Sequence, residues 1–427
     1  MLYRLLHFIV SNSLMRHYNE IKSFNHAAIP DKGALLIAAT HPNSFLDALV
    51  IASSIKRPLH FLARSDVFRQ KWAAFLLRKM NLIPIYRIAE GRENLHKNKD
   101  TFQACYDILN DEGAILIFAE GVSIADKKVR PLKKGLARIL FGFLKEYPNQ
   151  DIPQLICAGI NYMNPVQFNT NILLGYSDPL ELKELIGNPK SDNAIKFKKL
   201  NEKIYHSLIE HSIVVQPEDE HFHLALIEFD SCFNQNSLIR KSLIAEKIAS
   251  LKRKNPNDFQ ALKNETLSLR ELLSQRHLSI SNLKQKDSIN LLNWVLFIVT
   301  IPFGLLGFLL NFLPFYLARV IAKPLTQKEP IFYPSVRFAL GTLLWITTAV
   351  SISIAVVFGY HWLGVFSPLL MILLFKYYQI STKLWKRIKI NLRLRKLKLN
   401  KDLNTEVQDK VRTIVALKSS IGLMTKS

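Results

Sequence analysis

Apolar residues crowd into three stretches, 291–317, 338–358 and 362–375, and positive charge follows them directly. The middle stretch matches the roughly 20 residues that cross a hydrocarbon core, so this end of the chain reads as a membrane region over 287–378. Pro302, Gly304 and Gly307 interrupt the first stretch and Pro314 closes it. It reads as a broken re-entrant hairpin, and the other two as a transmembrane hairpin turning near Gly359-Tyr360-His361. Basic residues Arg319, Lys323 and Lys328 and those after Lys376 should share the cytoplasmic side with the N-terminal half, which demands an even number of crossings between each pair. Three plain spans would put the basic tail on the opposite side.

Charge sharpens the partner class. The chain is 49% hydrophobic yet carries a formal net charge of +23, and from Lys376 to Ser427 there are 14 Lys or Arg against Asp402, Glu406 and Asp409, a net of 14 − 3 = +11. In 383–398 the charges alternate with Leu384, Trp385, Ile388, Ile390, Leu392, Leu394 and Leu397. Basic and apolar residues mixed directly behind a membrane region favour anionic lipid over nucleic acid for the tail, 379–427. Cys105, Cys157 and Cys232 have no metal-ligand spacing, so neither a metal site nor a disulfide framework is expected. Residues 1–24 read as an amphipathic interfacial helix carrying Leu2, Leu5, Leu6, Ile9 and Val10. Residues 214–286 read as polar and helical, with His221 and His223 in an exposed loop.

Between them, 25–213 alternate strand and helix patterns. Apolar runs at 34–39, 59–63, 81–86, 114–118, 155–162 and 172–176 predict strands, and 99–109 and 134–147 predict amphipathic helices. That order implies an α/β domain with a mixed, largely parallel sheet flanked by helices. The strand at 34–39 delivers Thr40-His41-Pro42-Asn43-Ser44-Phe45-Leu46-Asp47 into a turn and the start of a helix. A carboxylate on one imidazole nitrogen fixes the tautomer and frees the other nitrogen to take a proton. By itself the pair also fits a structural histidine.

Downstream features follow in a telling order: a strand ending in Arg87, a strand ending in Ala119-Glu120-Gly121-Val122-Ser123, the run Arg130-Pro131-Leu132-Lys133-Lys134-Gly135, and the strand around Cys157. Together with the His41 box they resemble the four ordered motifs of the glycerolipid acyltransferases, over about residues 25–210. The His-Pro-Asn-Ser-Phe-Leu-Asp wording is most similar to the branch holding fungal and plant glycerol-3-phosphate acyltransferases and their bacterial relatives. Thr40, Ala119, Val122 and Cys157 depart from the family's usual Asn, Pro, Thr and Pro.

The resemblance implies a membrane-bound O-acyltransferase of phospholipid biosynthesis, its catalytic domain facing the cytoplasm. His41 would be the base and Asp47 its orienter, without a covalent serine intermediate. Arg87 would grip the acceptor phosphate, helped by Arg64, Lys133 and Lys134, while Glu120, Gly121 and Ser123 line the substrate site. The expected acceptor is glycerol-3-phosphate, with lysophosphatidic acid or another lysophospholipid as the second choice. The donor is an acyl thioester, acyl-CoA or acyl carrier protein, as co-substrate with no other cofactor. A catalytically silent anionic-lipid-binding module is the reading from a different class, and it has no need of a base, an orienting carboxylate and a phosphate grip together.

Overall fold

The structure, a computed structural model, describes residues 2–87, 96–164, 170–186, 193–233, 238–285, 291–360 and 362–423. Position 361 of the expected hairpin turn lies outside them. The chain divides into two compact units, the first formed by Met1–Val214 with Ser237–Ser242 and Glu329–Ser335, the second by Val215–Asn236, Leu243–Lys328 and Val336–Ser427.

Among the described residues the first unit forms a seven-stranded sheet in the order β1-β7-β6-β2-β5-β3-β4. The strands are β1 (Glu20–Phe24), β2 (Leu35–Ala39), β3 (Leu59–Arg64), β4 (Leu82–Ile85), β5 (Ala114–Phe118), β6 (Gln154–Tyr162) and β7 (Asn171–Tyr176). Every pairing is parallel except β6 with β7, so the sheet is mixed and largely parallel, as expected. β2 is buried at all five positions, the mark of a central strand covered on both faces. Pro84 is tolerated because β4 is an edge strand. On one face α4 (Asn98–Asn110), α5 (Gly135–Glu146) and α7 (Asn193–Glu210) bury Cys105, Leu109, Ile139, Phe143, Leu200 and Ile204 against the sheet. The remaining helices of this unit are α1 (Leu2–His17), α2 (Phe45–Ser54), α3 (Lys71–Lys79) and the short α6 (Lys183–Ile186).

The expected helix over 1–24 is corrected: α1 stops at His17 and 20–24 form the edge strand β1. Glu20, Lys22 and Ser23 make that strand polar, as edges commonly are, and hide its period from a hydrophobicity reading.

The second unit holds α8 (Glu220–Phe233), α9 (Leu238–Lys254, whose first residues belong to the first unit), α10 (Pro256–Ser274), α11 (Leu291–Leu325), α12 (Tyr333–Tyr360, which likewise begins in the first unit), α13 (Ser367–Leu399) and α14 (Lys401–Ser420). Among the described residues, three helices are long and apolar enough to cross a membrane: Leu291–Leu325, Pro330–Gly359 and Gly364–Leu399. The broken hairpin expected over the first stretch is corrected, since α11 runs helical through Pro302, Pro314 and Pro324. Each proline forfeits one backbone hydrogen bond, but packing against α13 holds the helix together. Gly307 sits at that contact, where a Cβ would lie 2.1 Å from the Leu374 carbonyl oxygen. Buried Asn311 fastens the bundle: it accepts from Trp345 Nε1 at 2.7 Å and donates to the Gly307 carbonyl at 2.8 Å.

Two further expectations change here. His223 is not in an exposed loop; it is buried in α8, and burial lowers its pKa to about 4, so the imidazole is neutral. The tail does not stand apart from the fold as a separate appendage either. Leu384, Ile388, Ile390, Leu394 and Leu397 are buried within the unit, and α14 packs on α10 through buried Leu403, Val407 and Ile414. Buried Lys418 then pairs with buried Asp230 of α8 at 2.6 Å.

Candidate active site

The C-terminal ends of β6, β2, β5, β3 and β4 open on one edge of the sheet, where ligands of parallel α/β folds collect. Along that edge come Tyr162, His41, Glu120, Arg64 and Arg87. Three strand spacings separate His41 from Arg87, roughly 14 Å between strand axes, a span that long guanidinium side chains can narrow.

His41 lies flat on Phe118, ring centroids 3.9 Å apart and planes 11° from parallel. Its Nδ1 is 2.8 Å from Asp47 Oδ2, which leaves Nε2 as the nitrogen able to take a proton. Asp47 has no solvent exposure and three partners: His41, the Asn43 N–H at 2.7 Å, and the Tyr162 hydroxyl donating to Oδ1 at 2.9 Å. Burial pushes its pKa up, and those three donors pull against the rise. Tyr162, buried beside that carboxylate, has its own pKa raised well above the ordinary value and stays a neutral donor.

The backbone of the box is tightly held. Ser44 takes φ 51° and ψ −141°, a conformation that costs a non-glycine residue of order 1–3 kcal/mol and persists only where the surroundings impose it. Its N–H donates to Ser123 Oγ at 2.7 Å. The Ser335 hydroxyl, fully buried, donates to the Asn43 carbonyl at 3.3 Å. Thr40 accepts from the Ile160 N–H at 2.9 Å and so ties β2 to β6.

Glu120 is 3% exposed and lies 3.7 Å from Arg130. Burial raises its pKa to about 6 against the pull of Arg130, and the His41 backbone N–H also donates to it. Arg130 is held in turn by Asp126 at 2.5 Å. Gly121 has φ 71°, a conformation glycine adopts without strain, and a Cβ there would lie 3.0 Å from Lys133 Cγ.

The structure therefore brings His41, Asp47, Glu120, Gly121 and Ser123 into one cluster, with Lys133 packed over Gly121. Lys134 stands exposed at the start of α5, and Arg87 is half-buried just past β4. Arg64 is half exposed and engaged by Asp66, so it is not an uncommitted cation. Sequence reasoning missed Tyr162, Arg130 and Ser335 as parts of this site. Arg130 was visible in the third-motif region, whereas nothing local marks Tyr162 or Ser335.

Residues 20–153 match the family model described as Acyltransferase. An uncharacterized acyltransferase of Schizosaccharomyces pombe is 23% identical over 290 residues, 47% of this chain and 42% of that protein. Glycerol-3-phosphate O-acyltransferase 2 of Saccharomyces cerevisiae is 30% identical over 112 residues, 26% of this chain and 15% of that protein. The chain thus spans less than half the length of these relatives. Among solved structures, the 1-acyl-sn-glycerophosphate acyltransferase PlsC of Thermotoga maritima aligns at 14% identity and TM-score 0.35, over 49% of this chain and 78% of that one.

Proposed function

We propose, from the match of residues 20–153 to the family model described as Acyltransferase, that the chain is a membrane-bound enzyme transferring an acyl group from a thioester to the hydroxyl of glycerol-3-phosphate. The His41–Asp47 contact carries the reading, because a buried carboxylate that fixes one imidazole nitrogen prepares the other as a base. In this scheme His41 Nε2 takes the hydroxyl proton as the acceptor oxygen attacks the thioester carbonyl. The carbon–sulfur bond then breaks, and the imidazolium returns the proton to the leaving thiolate.

Arg87, Lys133 and Lys134 would hold the acceptor phosphate, and Glu120 with Arg130 would shape the pocket beside it. The donor would be acyl-CoA or acyl carrier protein, and the domain would face the cytoplasm. The named yeast relative supports glycerol-3-phosphate as acceptor, and lysophosphatidic acid is the second candidate.

The deciding experiment assays the full chain in membranes with labelled glycerol-3-phosphate and, separately, lysophosphatidic acid, against both donors. His41→Ala and Asp47→Asn should each lower turnover by about 10²-fold or more while melting curves stay close to wild type. Retention of more than about a tenth of the activity by either variant would remove the base assignment.

A further inference from the structure

α3 exposes what an ordinary crossover helix buries. Trp72 is 72% exposed and Phe75 66%, with Leu76 beside them and Val67 just upstream. Along the segment itself the charge has one sign: residues 67–87 hold Arg69, Lys71, Arg78, Lys79 and Arg87 and no Asp or Glu, and Asp66 just before them is paired with Arg64. Lys71, Arg78 and Lys79 are exposed on the same nine-residue helix, and Lys79 Nζ lies 5.7 Å from the Phe75 ring centroid.

We propose that α3 docks the catalytic unit on the surface of an anionic bilayer. Trp72, Phe75 and Leu76 enter the headgroup boundary, while Arg69, Lys71, Arg78 and Lys79 meet lipid phosphates. Tryptophan and phenylalanine have their favoured place at that boundary, and a short helix with an apolar face and a basic rim lies in it rather than crossing it. A protein partner would have to be acidic and apolar at once, whereas an anionic membrane offers both properties over any area. The proposal is independent of the reaction assigned above, since lipid contact by α3 requires no turnover.

The test uses the full chain in vesicles, with Phe75→Cys carrying an environment-sensitive nitrobenzoxadiazole label and Cys232→Ala removing the half-buried thiol; Cys105 and Cys157 are buried. In vesicles containing phosphatidylglycerol the label should shift to the blue and be quenched by lipids spin-labelled near the headgroup. In phosphatidylcholine alone, or at high salt, the quenching should fall several-fold. Lys71→Glu/Lys79→Glu should erase the difference between the two vesicles without moving the melting curve, the membrane region still holding the protein in the pellet. A label that stays open to iodide in both vesicles would overturn the proposal. So would a label shielded from iodide yet untouched by the spin-labelled lipid, which would mean that protein covers α3.

Discussion

At the scale of single residues the site depends on a hydroxyl that no local pattern announces. Tyr162 and Asp47 are 115 positions apart, and only the pairing of β2 with β6 brings them to 2.9 Å. A hydrogen bond to a charged group contributes about 1.5–3 kcal/mol, and a loss of 1.4 kcal/mol is about tenfold in rate. Tyr162→Phe should therefore lower kcat by about tenfold with little change in either KM. Equal loss of acceptor binding would instead show a general disturbance of the pocket. Glu120 supplies a pH signature. Its folded pKa of about 6 lies above the ordinary 4.5, so the folded protein takes up the proton first as pH falls. Stability from this group rises as pH drops from about 6 towards 4.5 and is lost on the way back up. The melting temperature of wild type minus that of Glu120→Gln should rise as pH falls across that window, and a flat difference would remove the shift. His41, Asp47 and Glu120 were legible in the sequence because each ends or follows an apolar strand run. Tyr162 and Ser335 were not, since long-range neighbours leave no trace in a window of a few residues.

At the scale of elements the continuous apolar runs of β2 and β5 announced themselves, while polar β1 passed for helix. In α11 the prolines suggested a break that packing against α13 prevents. Gly307→Leu should destabilise the bundle by about 1–3 kcal/mol or more, because its side chain would be driven into the α13 backbone, and a thermal melt in detergent reads the loss. The ion pair joining α14 to α8 gives a second check. Lys418→Ala takes the cation away from a buried carboxylate and should destabilise the unit by up to about 3–5 kcal/mol, whereas Lys418→Met/Asp230→Leu, which removes both charges, should recover most of the loss in denaturant melts.

At the scale of the whole molecule, sidedness follows from connectivity. Among the described residues no helix before Leu291 is long and apolar enough to cross a membrane. Ser335, beyond α11, nevertheless bonds to the Asn43 carbonyl in the first unit. α14, beyond α13, packs on α10, which precedes every membrane-capable helix. A single cysteine at position 400 should accordingly be labelled from the same side of sealed vesicles as one on α10. Opposite-side labelling of the two would mean that α14 and α10 part in the membrane, whereas the Ser335 contact lies within the first unit and is untouched by that outcome.

That contact also sets an order of events in time. β2 finds its neighbours in β5 and β6, and every strand of the sheet lies before residue 177, so the sheet can close while the ribosome is still far from α11. Ser335 emerges only after α11 has been synthesised. The nascent chain therefore holds its histidine and carboxylate early but gains the Ser335 bond to the Asn43 carbonyl late, when the first membrane-capable helix is already complete.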